Sequence, residues 1–259
     1  MLLAVDIGNT NITIGMFDGE IPGESLRFAV NPIGTADEYG MAMLDSFRRM
    51  GIATADIHAI AIGSVVPDLT PLFAEACLNY LGCRPFIAGG VMKTGLRTKY
   101  DNPRQLGVDR IAASVAAYKL YGGPVCVIDF GTATTFDAVS TDGFHLGGAI
   151  APGIGIAAEA LFLGTTKLSV MDITKRYEHP ASVIGRNMMQ SLQSGLLYGY
   201  TGLVDGLISR FRAELGADMK VVATGGLAEI IAADTAAIDI TAPWLILDGL
   251  RILYHMNRH

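Results

Sequence analysis

Short apolar runs, many of them β-branched and each closed by Gly, Asp or Pro, recur along the chain. They predict strands at Leu2–Asp6, Asn11–Phe17, Ala59–Val65, Val125–Asp129, Thr135–Ser140 and Met219–Thr224. Longer segments with helical spacing of apolar positions predict helices at Thr35–Met50, Asp68–Tyr80, Asp109–Tyr121, Ile156–Leu163, Val183–Gly216 and Leu227–Ala233. "TADE", starting at Thr35, has the spacing of a capping box, in which the Thr and Glu side chains satisfy orphan backbone amides. "TAPWLILDGLRILYHMN" reads as a turn followed by a last amphipathic helix. Strands alternating with helices place the chain in the α/β class.

One pattern occurs twice, about half the chain apart. "AVDIGNTNITIGMFDG" from Ala4 and "VIDFGTATTFDAVSTDG" from Val127 both run apolar residue, Asp, apolar residue, Gly, then polar residues before a second apolar run. Both continue to an Asp-Gly pair, Asp18-Gly19 and Asp142-Gly143, suited to a tight hairpin. "YKLYGGPV" breaks the pattern just before the second copy. The expected division is therefore 1–117 and 118–259, two related halves.

Composition narrows this picture. With 51% hydrophobic residues in 259, the chain can bury a sizeable core. A net charge of −6 presents no basic field for nucleic acid. Cys77, Cys83 and Cys126 are odd in number and lack metal-ligand spacing, so they read as small apolar residues in a reducing compartment. The most apolar stretch, "GGAIAPGIGIAAEALFLG" from Gly147, is broken by Pro152 and carries Glu159. It reads as a buried strand, a glycine turn and a helix rather than a membrane span. The N-terminus has no signal-peptide pattern, and the expected setting is the cytoplasm.

The repeated turn carries candidate chemistry. A glycine between strands lets backbone approach a ligand and aim N–H groups at it, while Asn and Thr add donors. An Asp ending the preceding strand repels phosphate but can hold magnesium or its water shell, which bridges to phosphates. Two such loops facing each other would grip a triphosphate. One copy alone is more often an ordinary hairpin with a solvent-facing Asp; the second copy is what favours the ligand reading. "VVATGGLAEII" adds a strand, Thr224-Gly225-Gly226 and a helix start, another common seat for a nucleotide. Walker and dinucleotide fingerprints are absent; "GIGIAAEA" at Gly153 lacks the third Gly and the downstream acid.

"KYDNPRQLGVDRIAAS", from Lys99, places Asp109 and Arg110 beside Gly107 where a helix begins. Asp109 has two readings. One is a helix N-cap; the other is a carboxylate that takes a proton from a hydroxyl, with Arg110 holding a substrate carboxylate or developing phosphate charge.

Taken together, "DIGNTNI", "YDNPRQLGVDR", "DFGTATTFDAV", "GGAIAPGIGI", "QSGLLYGY" and "ATGGLAE" resemble the type III pantothenate kinases, of the acetate and sugar kinase/actin superfamily, in order and over essentially the whole chain. The resemblance implies two duplicated ribonuclease-H-like domains with a nucleotide cleft between them. It implies ATP-dependent phosphorylation of pantothenate to 4'-phosphopantothenate, the first step toward coenzyme A. ATP-binding residues would be Asp6, Ile7, Gly8, Asn9, Thr10, Asn11, Ile12 and Thr13, with Thr132 from the second loop. Tyr100, Gly107, Val108, Asp109, Arg110 and the residue at Met188 would bind pantothenate, and Asp109 would be the general base. Asp129 would hold a monovalent cation, potassium or ammonium, and Asp6 magnesium. Members of the family are homodimers; no nucleic acid or membrane partner is implied.

Two departures from the family pattern stand out. Met188 replaces the Thr that usually follows Asn187, removing a hydroxyl expected on pantothenate. "TTKLSVMDI" lacks a Pro common after its Lys-Leu pair, which touches only a loop. The first departure keeps two rivals in view: a kinase for another small hydroxyl substrate, and a non-catalytic nucleotide-binding regulatory homologue. Three retained aspartates, Asp6, Asp109 and Asp129, speak against the second.

Overall fold

The computed structural model describes residues 1–163, 180 and 182–258. They form two units: Met1–Lys119 with Trp244–His259, and Leu120–Pro243.

In the first unit, β1 (Leu2–Ile7), β2 (Asn11–Asp18) and β3 (Ile21–Ala29) form an antiparallel meander. β4 (Ala59–Ser64) and β5 (Phe86–Ala88) add in parallel on the other side of β1, giving the order β3-β2-β1-β4-β5. Helices α1 (Ala36–Arg49) and α2 (Leu69–Leu81) supply Met43, Phe47 and Phe73 to a core with Val5, Ile7, Ile12, Ile14, Ile60 and Ile62. The predicted capping box is present: the Glu38 N–H donates to Thr35 Oγ1 at 3.2 Å, and the Thr35 N–H to Glu38 Oε2 at 2.8 Å. The unit also holds β6 (Arg97–Thr98), a 3₁₀ turn at Pro103–Gln105 and the start of α3 (Val108–Tyr121).

The second unit repeats this plan. β7 (Val125–Phe130), β8 (Ala133–Val139) and β9 (Phe144–Pro152) form the antiparallel meander. β10 (Lys220–Gly225) and β11 (Ile240–Thr241) add in parallel beyond β7, in the order β11-β10-β7-β8-β9. Among the described residues, helices α4 (Ile154–Leu163), α5 (Met188–Leu215) and α6 (Ala228–Ala232) belong to it. Ala158, Leu197, Tyr200, Val204 and Ile208 pack on Ile128, Phe130, Phe136, Val221 and Ala223.

Three expectations change. The last helix, α7 (Leu245–Asn257), belongs to the first unit and not to the second half of the chain. Small residues make room for it: a Cβ on Gly15 would meet Leu247 at 2.7 Å, and one on Gly63 would meet Leu250 at 2.6 Å. Leu247, Leu250 and Leu253 are buried there, each contributing about 1.5–3 kcal/mol. The helix expected from Val183 starts at Met188, because Asn187 accepts the Gln190 N–H at 2.9 Å and caps it. Strand β3 has no counterpart among the predicted strands: "IPGESLRFA" is an exposed edge with Pro22 and Gly23, so burial imposes no apolar alternation on most of it.

Candidate active site

The two acidic loops occupy equivalent places in their own units. Asp6 stands next to last on β1, in register with Thr13 on β2 and Gly63 on β4. Asp129 stands next to last on β7, in register with Thr135 on β8 and Thr224 on β10. Both carboxylates are half-buried, each between an antiparallel and a parallel neighbour. The loops are then tied alike. The Gly8 N–H donates to the Asn11 carbonyl at 3.0 Å, and the Gly131 N–H to the Ala133 carbonyl at 3.0 Å. The Thr10 carbonyl accepts from Val30, one residue past β3, and the Thr132 carbonyl from Gly153, one residue past β9.

This geometry refines the sequence reading. The second loop is one residue shorter, since the closing bond spans three residues in the first and two in the second. The N–H groups of Gly8 and Gly131 are used inside their loops, and the exposed polar residues of each loop are the glycines' neighbours. Those are Asn9, Thr10 and Asn11 in the first loop and Thr132 in the second. Thr13 is half-buried. Ile7 and Ile12, expected among the nucleotide contacts, face each other as the last rung of β1–β2, and their side chains lie wholly in the core. The Ile7 carbonyl is also taken, accepting the Val65 N–H at 3.0 Å.

The third glycine element proves to be part of the second loop's surroundings. Gly225 has φ +92, and a Cβ there would sit 2.6 Å from both Asp129 Oδ1 and the Phe130 carbonyl. Its bare Cα is what leaves the Asp129 carboxylate in place. Helix α6, which follows, has only five residues, so a dipole of consequence at its N-terminus is not available. On the far side of the same loop, the Tyr200 hydroxyl donates to the Pro152 carbonyl at 2.8 Å, next to the Gly153 N–H that holds Thr132.

The residues from Tyr100 to Arg110 lie in the first unit. Val108 is buried and opens α3; the first helical bond runs from the Ile111 N–H to the Gly107 carbonyl. Asp109 is therefore the second helical residue and not the N-cap. Its Oδ1 accepts the Arg110 N–H at 2.8 Å, and a Cβ on Gly107 would run into that same oxygen. The Arg110 guanidinium lies 5.7 Å from the centre of the Tyr100 ring, a cation–π arrangement. Tyr100, Gly107, Asp109 and Arg110, grouped by the family resemblance, thus lie near one another. Met188 opens α5 in the second unit and is exposed. The loop departure at "TTKLSVMDI" lies outside the described residues.

Sequence reasoning missed the buried pair Asp137 and His145, whose Oδ1 and Nε2 stand 2.8 Å apart on β8 and β9. Its signal was two polar residues at apolar strand positions. Burial pushes the Cys77 thiol up to about 12 and raises those of Cys126 and Cys83, so none supplies a thiolate nucleophile. Among the described residues, no three His, Cys, Asp or Glu side chains converge as a metal cage, and no helix is long and apolar enough to cross a membrane.

Known proteins share both fold and sequence with this chain. A ROK family glucokinase from Streptomyces griseus superposes with a TM-score of 0.56 at 13% identity, covering 98% of this chain and 99% of that one. A polyphosphate/ATP-glucomannokinase from Arthrobacter gives 0.51 at 15% identity over 98% of each. At such identities the likeness shows the fold alone, that of paired ribonuclease-H-like, actin-like ATPase domains. Sequence likeness goes further. Type III pantothenate kinases from Roseiflexus sp. (strain RS-1) and Geobacter sulfurreducens are 49% and 45% identical over 258 residues, covering 100% of either chain. The model of that family matches residues 2–210. By this full-length likeness and the match to the family model, the chain belongs to the type III pantothenate kinase family.

Proposed function

We propose that this chain transfers the γ-phosphoryl group of ATP to the hydroxyl of pantothenate, giving 4'-phosphopantothenate for coenzyme A synthesis. The observation that carries the proposal is the acceptor cluster: a half-buried Asp109 pinned by the Arg110 N–H at 2.8 Å, with Arg110 over Tyr100. Asp109 takes the hydroxyl proton as the oxygen attacks the phosphorus in line. Arg110 and Tyr100 hold the acceptor, Arg110 offering a fixed fork of donors to its carboxylate. Gly107 leaves space beside Asp109. Asn9, Thr10, Asn11 and Thr132 are assigned to the phosphates of ATP, since their loops expose polar groups on tied backbone.

Residues suited to the ions are present. Magnesium keeps much of its water and needs only one or two carboxylates plus substrate phosphates, a role that fits Asp6. It supplies neutralisation of the phosphate charge when bound. Asp129 Oδ1 and the Phe130 carbonyl flank the space left by Gly225, an oxygen donor set that suits a hard monovalent cation. We assign the active form to a cytoplasmic homodimer.

A coupled assay of ATP consumption with pantothenate, with and without potassium or ammonium, tests this. Turnover that needs pantothenate and rises with one of those cations is expected; consumption indifferent to pantothenate overturns the proposal. The second reading, another small hydroxyl substrate, is favoured by Met188 alone, and a panel of such substrates separates the two. If Met188 replaces a substrate hydrogen bond, Met188→Thr lowers the KM for pantothenate about two- to tenfold with kcat little changed, the scale of one such bond. An unchanged or higher KM removes position 188 from substrate binding.

A further inference from the structure

The second acidic loop is seated on a single peptide group. Pro152 ends β9 in register with Ala133, and Gly153 follows it. The Pro152 carbonyl and the Gly153 N–H belong to one planar unit, so they move together and point opposite ways. The carbonyl accepts the Tyr200 hydroxyl at 2.8 Å, and the N–H donates to the Thr132 carbonyl at 3.1 Å. Tyr200 is buried and packs from α5 into the second unit's core. One rigid group is thus held on one side by a core side chain and holds the loop on the other. The corner is anchored beyond Gly153 as well: its carbonyl accepts the Ala157 N–H at 2.9 Å and opens α4, whose Ile154 and Ala158 are buried.

The first loop shows what a glycine at 153 adds. There the Thr10 carbonyl takes the equivalent bond from the Val30 N–H at 2.9 Å, and the Val30 side chain packs on the first unit's core. The bond itself therefore does not call for glycine. In the second loop a Cβ on Gly153 would run into the Thr132 carbonyl oxygen and lie 2.5 Å from that of Gly131. Both are backbone atoms, which cannot swing aside as the end of a side chain can. Gly225 approaches Asp129 and Phe130 in the same way, so four successive residues of the turn lie against bare Cα atoms.

We infer that Tyr200 and Gly153 are positioning residues for the phosphates of ATP, acting on Thr132 through the Pro152–Gly153 peptide. This rests on the assignment of Thr132 to the nucleotide and adds two residues outside that set. Gly153→Ala is expected to weaken ATP binding about tenfold, read by calorimetry without acceptor and as the KM for ATP, while the KM for pantothenate stays within about twofold. Gly131 and Thr132 are exposed, so the loop gives way and the unit stays folded. Tyr200→Phe keeps the ring and its packing and removes one bond; it weakens ATP binding about two- to tenfold, the scale of one such bond. Gly155→Ala, two residues further on, is the control: a Cβ there meets nothing within 4 Å, and ATP binding is unchanged.

Equal ATP affinity in Gly153→Ala and Gly155→Ala overturns the assignment. So does a rise of both Michaelis constants alike, which marks general loosening. Unaltered ATP binding in Tyr200→Phe overturns its part, and the whole assignment should Gly153→Ala not fold. Failure of the functional reading looks different. An unmodified protein that binds ATP but leaves pantothenate untouched defeats the proposed function, while the order of ATP affinities among the three variants still judges the seat of the loop.

Discussion

Asp109→Asn is expected to lower kcat at least about a hundredfold while the protein folds normally, the scale of losing a general base. The substitution is close to isosteric and keeps an Oδ1 to accept the Arg110 N–H, now at 2.8 Å. The start of α3 and the placing of Arg110 over Tyr100 therefore persist. What is lost is the basicity of the second oxygen, which an amide cannot replace. Initial rates in the coupled assay give kcat, circular dichroism and thermal melting report the fold, and a nucleotide-induced shift in melting temperature checks that ATP still binds. A variant with near-normal kcat would remove Asp109 from proton transfer. One that melts early would show that the carboxylate serves the helix start instead.

The second large effect is expected at Gly225. An alanine there must hold a positive φ of 92° and put a methyl group 2.6 Å from Asp129 Oδ1 and the Phe130 carbonyl. Strained backbone of this kind costs about 1–3 kcal/mol, and relief of the clash adds about as much again. For a protein of this size each kcal/mol lowers the melting temperature by about 2–4 °C, so a fall of about 4–24 °C is expected. Relief comes most readily by turning the Asp129 side chain away. If Asp129 holds the monovalent cation, activation by potassium or ammonium is lost with it. Gly226→Ala is the matched control, because a Cβ at Gly226 meets nothing within 4 Å. Equal behaviour of the two variants would show that the close approach of Gly225 to Asp129 has no functional weight.

Both predictions concern residues that the sequence flagged, for different reasons. Asp109 was visible as a carboxylate beside a glycine and an arginine, but its two readings could not be separated. A helix N-cap and a second helical residue differ by two positions, and boundaries blur at that level. Gly225 was visible as part of a glycine turn before a helix, and that helix was expected to matter through its dipole. Its five-residue length removes the dipole; what the glycine provides is room beside Asp129.

Local chemistry was legible from the residues alone. The repeated Asp-x-Gly pattern, the Asp-Gly hairpin turns, the capping box at Thr35 and the α/β alternation all depend on neighbours within a few positions, and all appear in the structure. Tertiary structure decided what depends on residues far apart in the chain: the return of α7 to the first sheet, the assignment of Ile7 and Ile12 to the core, the meeting of Gly225 with Asp129, and the bond of Tyr200 to Pro152. The physical reason is the same in each case. A turn or cap is stabilised by groups the sequence places side by side, whereas burial and close approach are properties of the packed chain, where the partner's identity is set only once the whole unit has closed around it.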